Sequence, residues 1–468
     1  MRSGFDLNGK RVLVLGLART GLVASLFCAA RGALVTSVDE KLEAELAETA
    51  GQLRAAGVRL LLGAQTSDAF LEQDLIVVSP GVPANLAALV LARARGIPIW
   101  SEIELAWRFL CGKLIAITGS NGKTTTTSLV AHILETAGIA TLIGGNIGIP
   151  LLSVVESSTD ASITVAEVSS FQLEAIAEFR PDIAVLLNLT ADHLDRHGSF
   201  EEYADAKMRM LENQTERDVA ILNADDSEVT QRAPSRPRIV WFSRLRRVAE
   251  GAFLRGDEIV FRAEGSEISL ARRDDIPLRG EHNVENVLAA CTAAYLAGAQ
   301  PSAIANGIRS FRGVEHRLEF VANIGGVQFY NDSKATNVDA ALKAIEAFAG
   351  PLVVILGGKD KGSPYSTLRE PLRQRARAAL LIGAATEKIS SDLGDSVRVE
   401  RAGTLERAVQ MAVSLARTGD VVLLAPACSS FDQFKNYEDR GRAFKDLVTE
   451  FERRSSAGIS VQNVPLKG

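Results

Sequence analysis

The sequence predicts an α/β protein built as three successive domains. Three observations carry this. The chain has 468 residues, 47% of them apolar, more than one ordinary domain needs and enough for several packed cores. Short runs rich in Val, Ile and Leu alternate with alanine-rich helical stretches along most of its length, the pattern of parallel sheets with crossover helices. One strand-like run, "LIAIT", opens directly into "GSNGKTTTTSLV", a glycine-lysine-threonine loop of the kind that holds phosphates at a helix N-terminus.

The first domain is placed at residues 1–109. "RVLVLG" is a buried-strand run ending at Gly16, and "ALVTSVDE", "VRLLLG", "DLIVVSPGVP" and "IPIW" supply further strands. Gly16, Ala18 and Gly21 stand where a dinucleotide fingerprint wants three glycines, and Asp39 ends the next strand, where a ribose-binding acid would sit. The central domain, 110–313, opens with a strand at 114–118 and a helix over 124–137 stopped by Gly138, with more strands at 163–168 and 183–188. Between 238 and 270 the texture turns to short alternating runs and reads as a β-rich insertion; a helix over 283–297 follows. The third domain, 314–468, repeats the alternation with "VQFYNDS", "LVVILGG", "ALLIGAA" and "VVLLAPA". The tail "SSAGISVQNVPLKG" is small and polar and reads as loose chain.

Bulk chemistry narrows the function. A net charge of −5 gives no drive toward nucleic acid or anionic lipid. No apolar run reaches the ~18 residues of a membrane span, and "MRSGFDLNGK" lacks a signal peptide's apolar core. Cys28, Cys111, Cys291 and Cys428 fit neither metal spacing nor a disulfide framework, which suits a cytoplasmic protein. A monomer is expected.

In the phosphate loop, Gly119 and Gly122 let the backbone approach an anion, with Ser120 and Asn121 between them. Lys123 can reach the β and γ phosphates, and the hydroxyl of Thr124, followed by Thr125, can meet Mg²⁺. The form is shorter than the general one, because Ile117 stands at the first-glycine position. Glu167 ends a buried strand in "ITVAEVSSFQLE", where open α/β sheets bind ligands, and is a candidate Mg²⁺ ligand. His193 lies in the loop after the next strand. The helix beyond it starts at Ser199 with Glu202 three residues on, a capping-box signature. On that helix Lys207 shares a face with Phe200, Tyr203, Met210 and Leu211. An inward lysine is either snorkelling or desolvated, its pKa lowered so that a neutral amine becomes available. A neutral amine can add CO₂ to form a carbamate, turning a cation into an anion able to hold a metal.

Eight segments in order, "TGSNGKTT", "EVSSFQLE", "NLTADHLDRHGSFEEYADAK", "GEHNVENVLAA", "GVEHRLE", "NDSKATN", "LGGKDKG" and "PACSSFDQFKNYEDRG", resemble the motifs of the Mur ligase family, ATP-dependent amide-bond-forming enzymes of peptidoglycan synthesis. "SSFQLE", "NDSKATN" and "SSFDQFKN" are similar to its D-glutamate-adding branch. The resemblance implies a Rossmann-like N-terminal domain that holds a UDP-sugar, a P-loop central ATPase domain and a Rossmann-like C-terminal domain. It implies a ligase joining D-glutamate to UDP-N-acetylmuramoyl-L-alanine through an acyl phosphate, using ATP and Mg²⁺ (two ions expected), with Lys207 carbamylated and Glu167 and His193 serving the metal.

Residue by residue, the resemblance assigns Asn283, Asn286, Arg317 and Asp332 to ATP, beside the loop at 119–125. It assigns Leu17, Asp39, Glu40, Gly81 and Asn146 to the UDP-sugar, and Thr336, Lys361, Ser430 and Tyr437 to D-glutamate, with Lys334 and His316 nearby. Two departures stand out: Glu40-Lys41 replaces a common Thr-Arg pair, and Tyr437 replaces a common phenylalanine. Rival readings are another ligase of the same architecture, such as a folylpolyglutamate synthase; a GTPase switch, against which no guanine-reading "NKxD" appears; an NAD dehydrogenase, against which the middle glycine is missing; and an inactive scaffold, against which Lys123, Glu167, His193 and Lys207 are all present.

Overall fold

The computed structural model describes residues 4–63, 68–146, 148–362 and 364–456; most of the tail read as loose lies outside them. The chain divides into two compact units, residues 1–275 with 285–311, and residues 276–284 with 312–468.

The first unit holds two sheets. Strands β1 (Arg11–Leu15), β2 (Leu34–Asp39), β3 (Arg59–Leu62), β4 (Leu75–Val78) and β5 (Ile99–Ser101) form a five-stranded sheet in the order 3-2-1-4-5. Every pairing is parallel. Successive β1 side chains serve opposite faces: Val12 and Val14 join one core, Leu13 and Leu15 another. This two-face burial is why the strand reads as a continuous apolar run.

The second sheet has nine strands: β6 (Lys113–Thr118), β7 (Thr141–Gly145), β8 (Ile163–Glu167), β9 (Ile183–Leu186), β10 (Val219–Asn223), β11 (Arg238–Ser243), β12 (Gly251–Arg255), β13 (Glu258–Ala263) and β14 (Ser266–Arg272). Their order is 14-13-12-11-10-9-6-8-7. The alternating stretch expected as an insertion is instead the continuation of this sheet. β11 and β12 extend it in parallel, and β13 and β14 close its edge antiparallel. The alternation reports one solvated face; it does not report which sheet the strands join.

The two sheets are joined by the helix Glu102–Phe109, all eight residues of which are buried. Glu104 Oε2 accepts from the backbone N–H groups of Ala177 (2.9 Å), Glu178 (3.0 Å) and Phe179 (2.7 Å), and Oε1 accepts from Arg108 (2.8 Å). Trp107 Nε1 donates to Arg180 O (2.8 Å). Ile103, Leu105 and Ala106 belong to one apolar core with Val12 and Val14 of the first sheet and Leu114 and Ala116 of the second.

In the second unit, β15 (Glu319–Ile324), β16 (Val327–Asn331), β17 (Leu352–Gly357), β18 (Ala376–Ile382), β19 (Val399–Gly403) and β20 (Val421–Leu424) form a sheet in the order 15-16-20-17-18-19, parallel except for β15. Val354 and Leu356 of β17 pack in one core, Val353 and Ile355 in the other. The helix Tyr437–Ser456 closes the latter with Phe444, Val448 and Phe451.

Candidate functional site

The phosphate loop leaves β6 at Thr118 and enters the helix Lys123–Thr136. Gly122 has φ +85°, and a Cβ there would lie 2.2 Å from Asn286 Oδ1. A side chain is excluded twice, by conformation and by Asn286 packed against the turn. Ser120 N donates to Asn188 O (3.0 Å) and Asn121 N to Asn188 Oδ1 (2.8 Å). Ser120 Oγ accepts from Tyr203 Oη and Thr190 N, each at 2.9 Å. The loop is therefore laced to the segment after β9 and to the helix Phe200–Met208. Tyr203, Asn188 and Thr190 were not singled out from sequence; only the inward face of the helix signalled Tyr203.

Two lysines converge on one carbonyl. Lys123 Nζ donates to Gly119 O (2.8 Å) and Ser120 O (2.9 Å), and Lys207 Nζ donates to Gly119 O (2.9 Å). Lys207 is 2% exposed, its ammonium 4.7 Å from the Tyr203 ring centroid. It is inward and buried, so the snorkelling alternative does not hold. Burial drives its pKa well below the usual lysine value, repulsion from Lys123 adds to this, and Asp192 and Glu167 oppose it. Ser199 caps the helix by accepting from Glu202 N (3.1 Å).

Glu167 ends β8 and is 3% exposed. Its Oε1 accepts from Asn146 Nδ2 (2.9 Å), while Oε2 is buried without a partner among the described residues. An orphaned carboxylate oxygen costs on the order of 1–3 kcal/mol or more, and it fits a metal-facing role. Asn146, expected at the UDP-sugar, orients this carboxylate. His193 follows β9 with φ +52°, its ring half-exposed and edge-on to Phe171 at 4.9 Å. Thr124 is buried, and the Thr125 hydroxyl is buried without a partner among the described residues. Among the described residues no group of three or more His, Cys, Asp or Glu side chains forms a metal cluster. The donors present fit a hard cation completed by hydroxyl, phosphate and water oxygens rather than an all-protein cage.

In the first sheet Leu17 N donates to Asp39 Oδ2 (2.6 Å), and Asp39 Oδ1 accepts from Lys41 N (3.0 Å). Glu40 and Gly81 are exposed after β2 and β4, the strands that flank β1, and Gly81 O accepts from Arg196 Nη1 (3.3 Å). A Cβ on Gly21 would lie 1.7 Å from Gly16 O, so close packing alone requires that glycine.

In the second unit, Thr336, Lys361 and Ser430 follow β16, β17 and β20, which are neighbours in the order 16-20-17, and Tyr437 starts the helix Tyr437–Ser456. The carboxyl edge of a parallel sheet, which the first three follow, is where such folds place ligands. Ser430 is 2% exposed. The Lys334 ammonium lies 5.7 Å from the Tyr437 ring centroid. Asp332 is buried, its carboxyl pushed up to about 6 by desolvation against the pull of Arg317. Arg317 stands between two left-handed non-glycine residues, His316 (φ +64°) and Leu318 (φ +40°), and its Nε is buried without a partner among the described residues. Strain of this kind persists where surroundings over-determine it. Asn283 belongs to the second unit, donating to Arg279 O (2.7 Å), whereas Asn286 belongs to the first.

A phosphate loop laced to a buried lysine, an orphaned carboxylate, and parallel sheets with polar residues after their carboxyl ends are the features of a phosphate-handling α/β enzyme. Comparison gives the class its name. The chain matches "Mur ligase MurD-like, N-terminal domain" over residues 10–101, "Mur ligase middle domain" over 117–294 and "Mur ligase, glutamate ligase domain" over 316–428. It is 55% identical over 447 residues to the UDP-N-acetylmuramoylalanine–D-glutamate ligase of Acidobacterium capsulatum, covering 95% of this chain and 97% of that one. It is 51% identical to the enzyme of the same name from Koribacter versatilis, covering 95% and 98%. The chain belongs to the Mur ligase family. Its fold is also that of the MurF ligase of Thermotoga maritima solved with ADP (TM-score 0.60, 18% identity, 96% of each chain) and of UDP-N-acetylmuramate-alanine ligase MurC from the same organism (TM-score 0.59, 18% identity, 94% of this chain and 100% of that one). No helix among the described residues is long and apolar enough to cross a membrane.

Proposed function

We propose that this protein joins D-glutamate to UDP-N-acetylmuramoyl-L-alanine at the expense of ATP, through an acyl phosphate, as a monomer in the cytoplasm. The observation that carries the reading is the buried Lys207 amine sharing the Gly119 carbonyl with Lys123, beside the orphaned Glu167 oxygen, within a chain half identical to ligases of that name.

The alanyl carboxylate attacks the γ-phosphate, and two anions must meet. Lys123 lies folded on the loop, its ammonium on Gly119 O and Ser120 O, and by this reading it turns toward the phosphate when ATP binds, with the N-terminus of the helix Lys123–Thr136 adding its dipole. Arg317 and Asp332 are assigned to ATP phosphate and ribose, Asn283 and Asn286 to adenine. Mg²⁺, two ions by this reading, would be held by Thr124, Glu167, His193 and a carbamate on Lys207, and would supply charge neutralisation between the reacting anions. Lys207 suits the carbamate because its amine is desolvated in place; Asn146 keeps Glu167 in one orientation. Glutamate binds through Thr336, Lys361, Ser430 and Tyr437, which offer hydroxyl and cationic donors to two carboxylates. Its neutral amine then attacks the acyl carbon and phosphate leaves. Leu17, Asp39, Glu40, Gly81 and Asn146 are assigned to the UDP-sugar. The boundaries 1–109, 110–313 and 314–468 give each reactant its own domain.

The test is product analysis with ATP, Mg²⁺, bicarbonate and UDP-N-acetylmuramoyl-L-alanine. A single glutamyl adduct with equimolar ADP from D-glutamate, and none from L-glutamate or other amino acids, supports the reading. An adduct only from another amino acid would overturn the substrate assignment and keep the chemistry.

A further inference from the structure

Arg440 is used by none of these roles. It lies one turn into the helix Tyr437–Ser456 and is 1% exposed. Its guanidinium reaches the loops after two adjacent strands. Nε donates to Ser333 Oγ (3.0 Å) and Nη2 to Ser333 O (2.9 Å), after β16; Nη1 and Nη2 each donate to Cys428 O at 3.2 Å, after β20. Ser333 Oγ donates onward to Tyr437 O (2.8 Å). The two loops are also tied by Ala427 N to Ala335 O (2.9 Å), with Ala427 held at φ +59°.

No carboxylate pairs with this cation among the described residues. Asp432 acts on it only at longer range and already accepts from Ala384 N (2.9 Å). Burial lowers its pKa to about 10, so it stays charged at neutral pH. A buried charge held by two carbonyls and a hydroxyl, with no carboxylate in direct contact among the described residues, is costly. The loops it holds carry Thr336 and Ser430.

We propose that Arg440 is a positioning residue for the amino-acid substrate: it fixes the spacing of Thr336 and Ser430 through Ser333 and Cys428, and its charge, in direct contact with no carboxylate among the described residues, favours a dicarboxylate there. This rests on the glutamate site named above.

The test measures KM for D-glutamate, ATP and UDP-N-acetylmuramoyl-L-alanine in the full-length wild type, Arg440→Met, Arg440→Lys and Ser333→Ala. Arg440→Met should raise the D-glutamate KM about tenfold or more, with the other two within about twofold. Arg440→Lys should recover part of that loss, and Ser333→Ala should show a smaller rise of about threefold. Thermal protection by D-glutamate should fall in Arg440→Met while protection by ATP persists. A common rise in all three KM values, or a loss of kcat alone, would overturn the proposal. If Arg440→Met does not fold, Ser333→Ala decides, and an unchanged D-glutamate KM there overturns it. A wild type that turns over another amino acid with ATP but not D-glutamate overturns the substrate reading itself, and the proposal with it.

Discussion

Lys207 and Arg440 are both buried cations, one in each unit, and their surroundings ask opposite things of them. Lys207 has one carbonyl, one aromatic ring and a second lysine's repulsion. Its charge is disfavoured, and an ammonium can answer by giving up its proton. Arg440 has three acceptors arranged around a planar fork, and a guanidinium keeps its charge. In the proposed mechanism burial makes the lysine a reagent and the arginine a fixture.

The sharpest way to break this contrast is to exchange the side chains. Lys207→Arg keeps a cation but removes the amine, and should lower kcat by about 10³-fold; Arg440→Lys should retain most of kcat. Steady-state phosphate release reads both, and an active Lys207→Arg would end the argument that its deprotonation matters. Next in size is Glu167→Gln, which keeps the Asn146 contact but removes the charge of the orphaned oxygen. A loss of about 10²-fold is expected, with a raised Mg²⁺ requirement; an unchanged Mg²⁺ titration would remove Glu167 from the metal site.

Two acids in the connecting helix extend the contrast to carboxylates. Glu104 is the paired case, and Glu104→Ala leaves Arg108 buried and three N–H groups unsatisfied. A loss of about 3 kcal/mol in denaturant unfolding is expected. Glu102 is the case without a cation: Oε1 accepts from Leu152 N (2.6 Å), Oε2 has no partner among the described residues, and burial raises the carboxyl from 4.5 to about 7. The folded state then holds a proton that the unfolded state has lost, so stability falls as pH rises between those values, by at most about 1.4 kcal/mol per pH unit. Glu102→Gln should flatten that slope; an unchanged slope would assign it to other groups.

The strands buried on both faces were legible, because "VLVL", "LIAI" and "VVIL" are continuous apolar runs. Three edge or near-edge strands were not. β19, "VERAG", is half polar, β15 pairs antiparallel at a rim, and β7 ends in two glycines. β10, "VAILN", lies inside the sheet, but so short an apolar run does not distinguish strand from helix. The placement of the candidate site residues was legible where motif and periodicity coincided: Lys123 at the helix start, Glu167 at a buried strand end and Lys207 on an inward helix face. Arg440 was not, because an arginine near a helix start carries no periodic signal; only its burial and its contacts with two distant loops mark it. Asn146 likewise gives no sign in sequence that its amide meets Glu167, 21 positions away.

The central claim is that the P-loop and Lys207 serve carboxylate activation. It is tested most directly with UDP-N-acetylmuramoyl-L-alanine carrying heavy oxygen in its terminal carboxylate. Turnover with ATP and D-glutamate should place one heavy oxygen in each released phosphate. Phosphate free of label, with product formed, would contradict the account, since the bond would then have been made without an acyl phosphate.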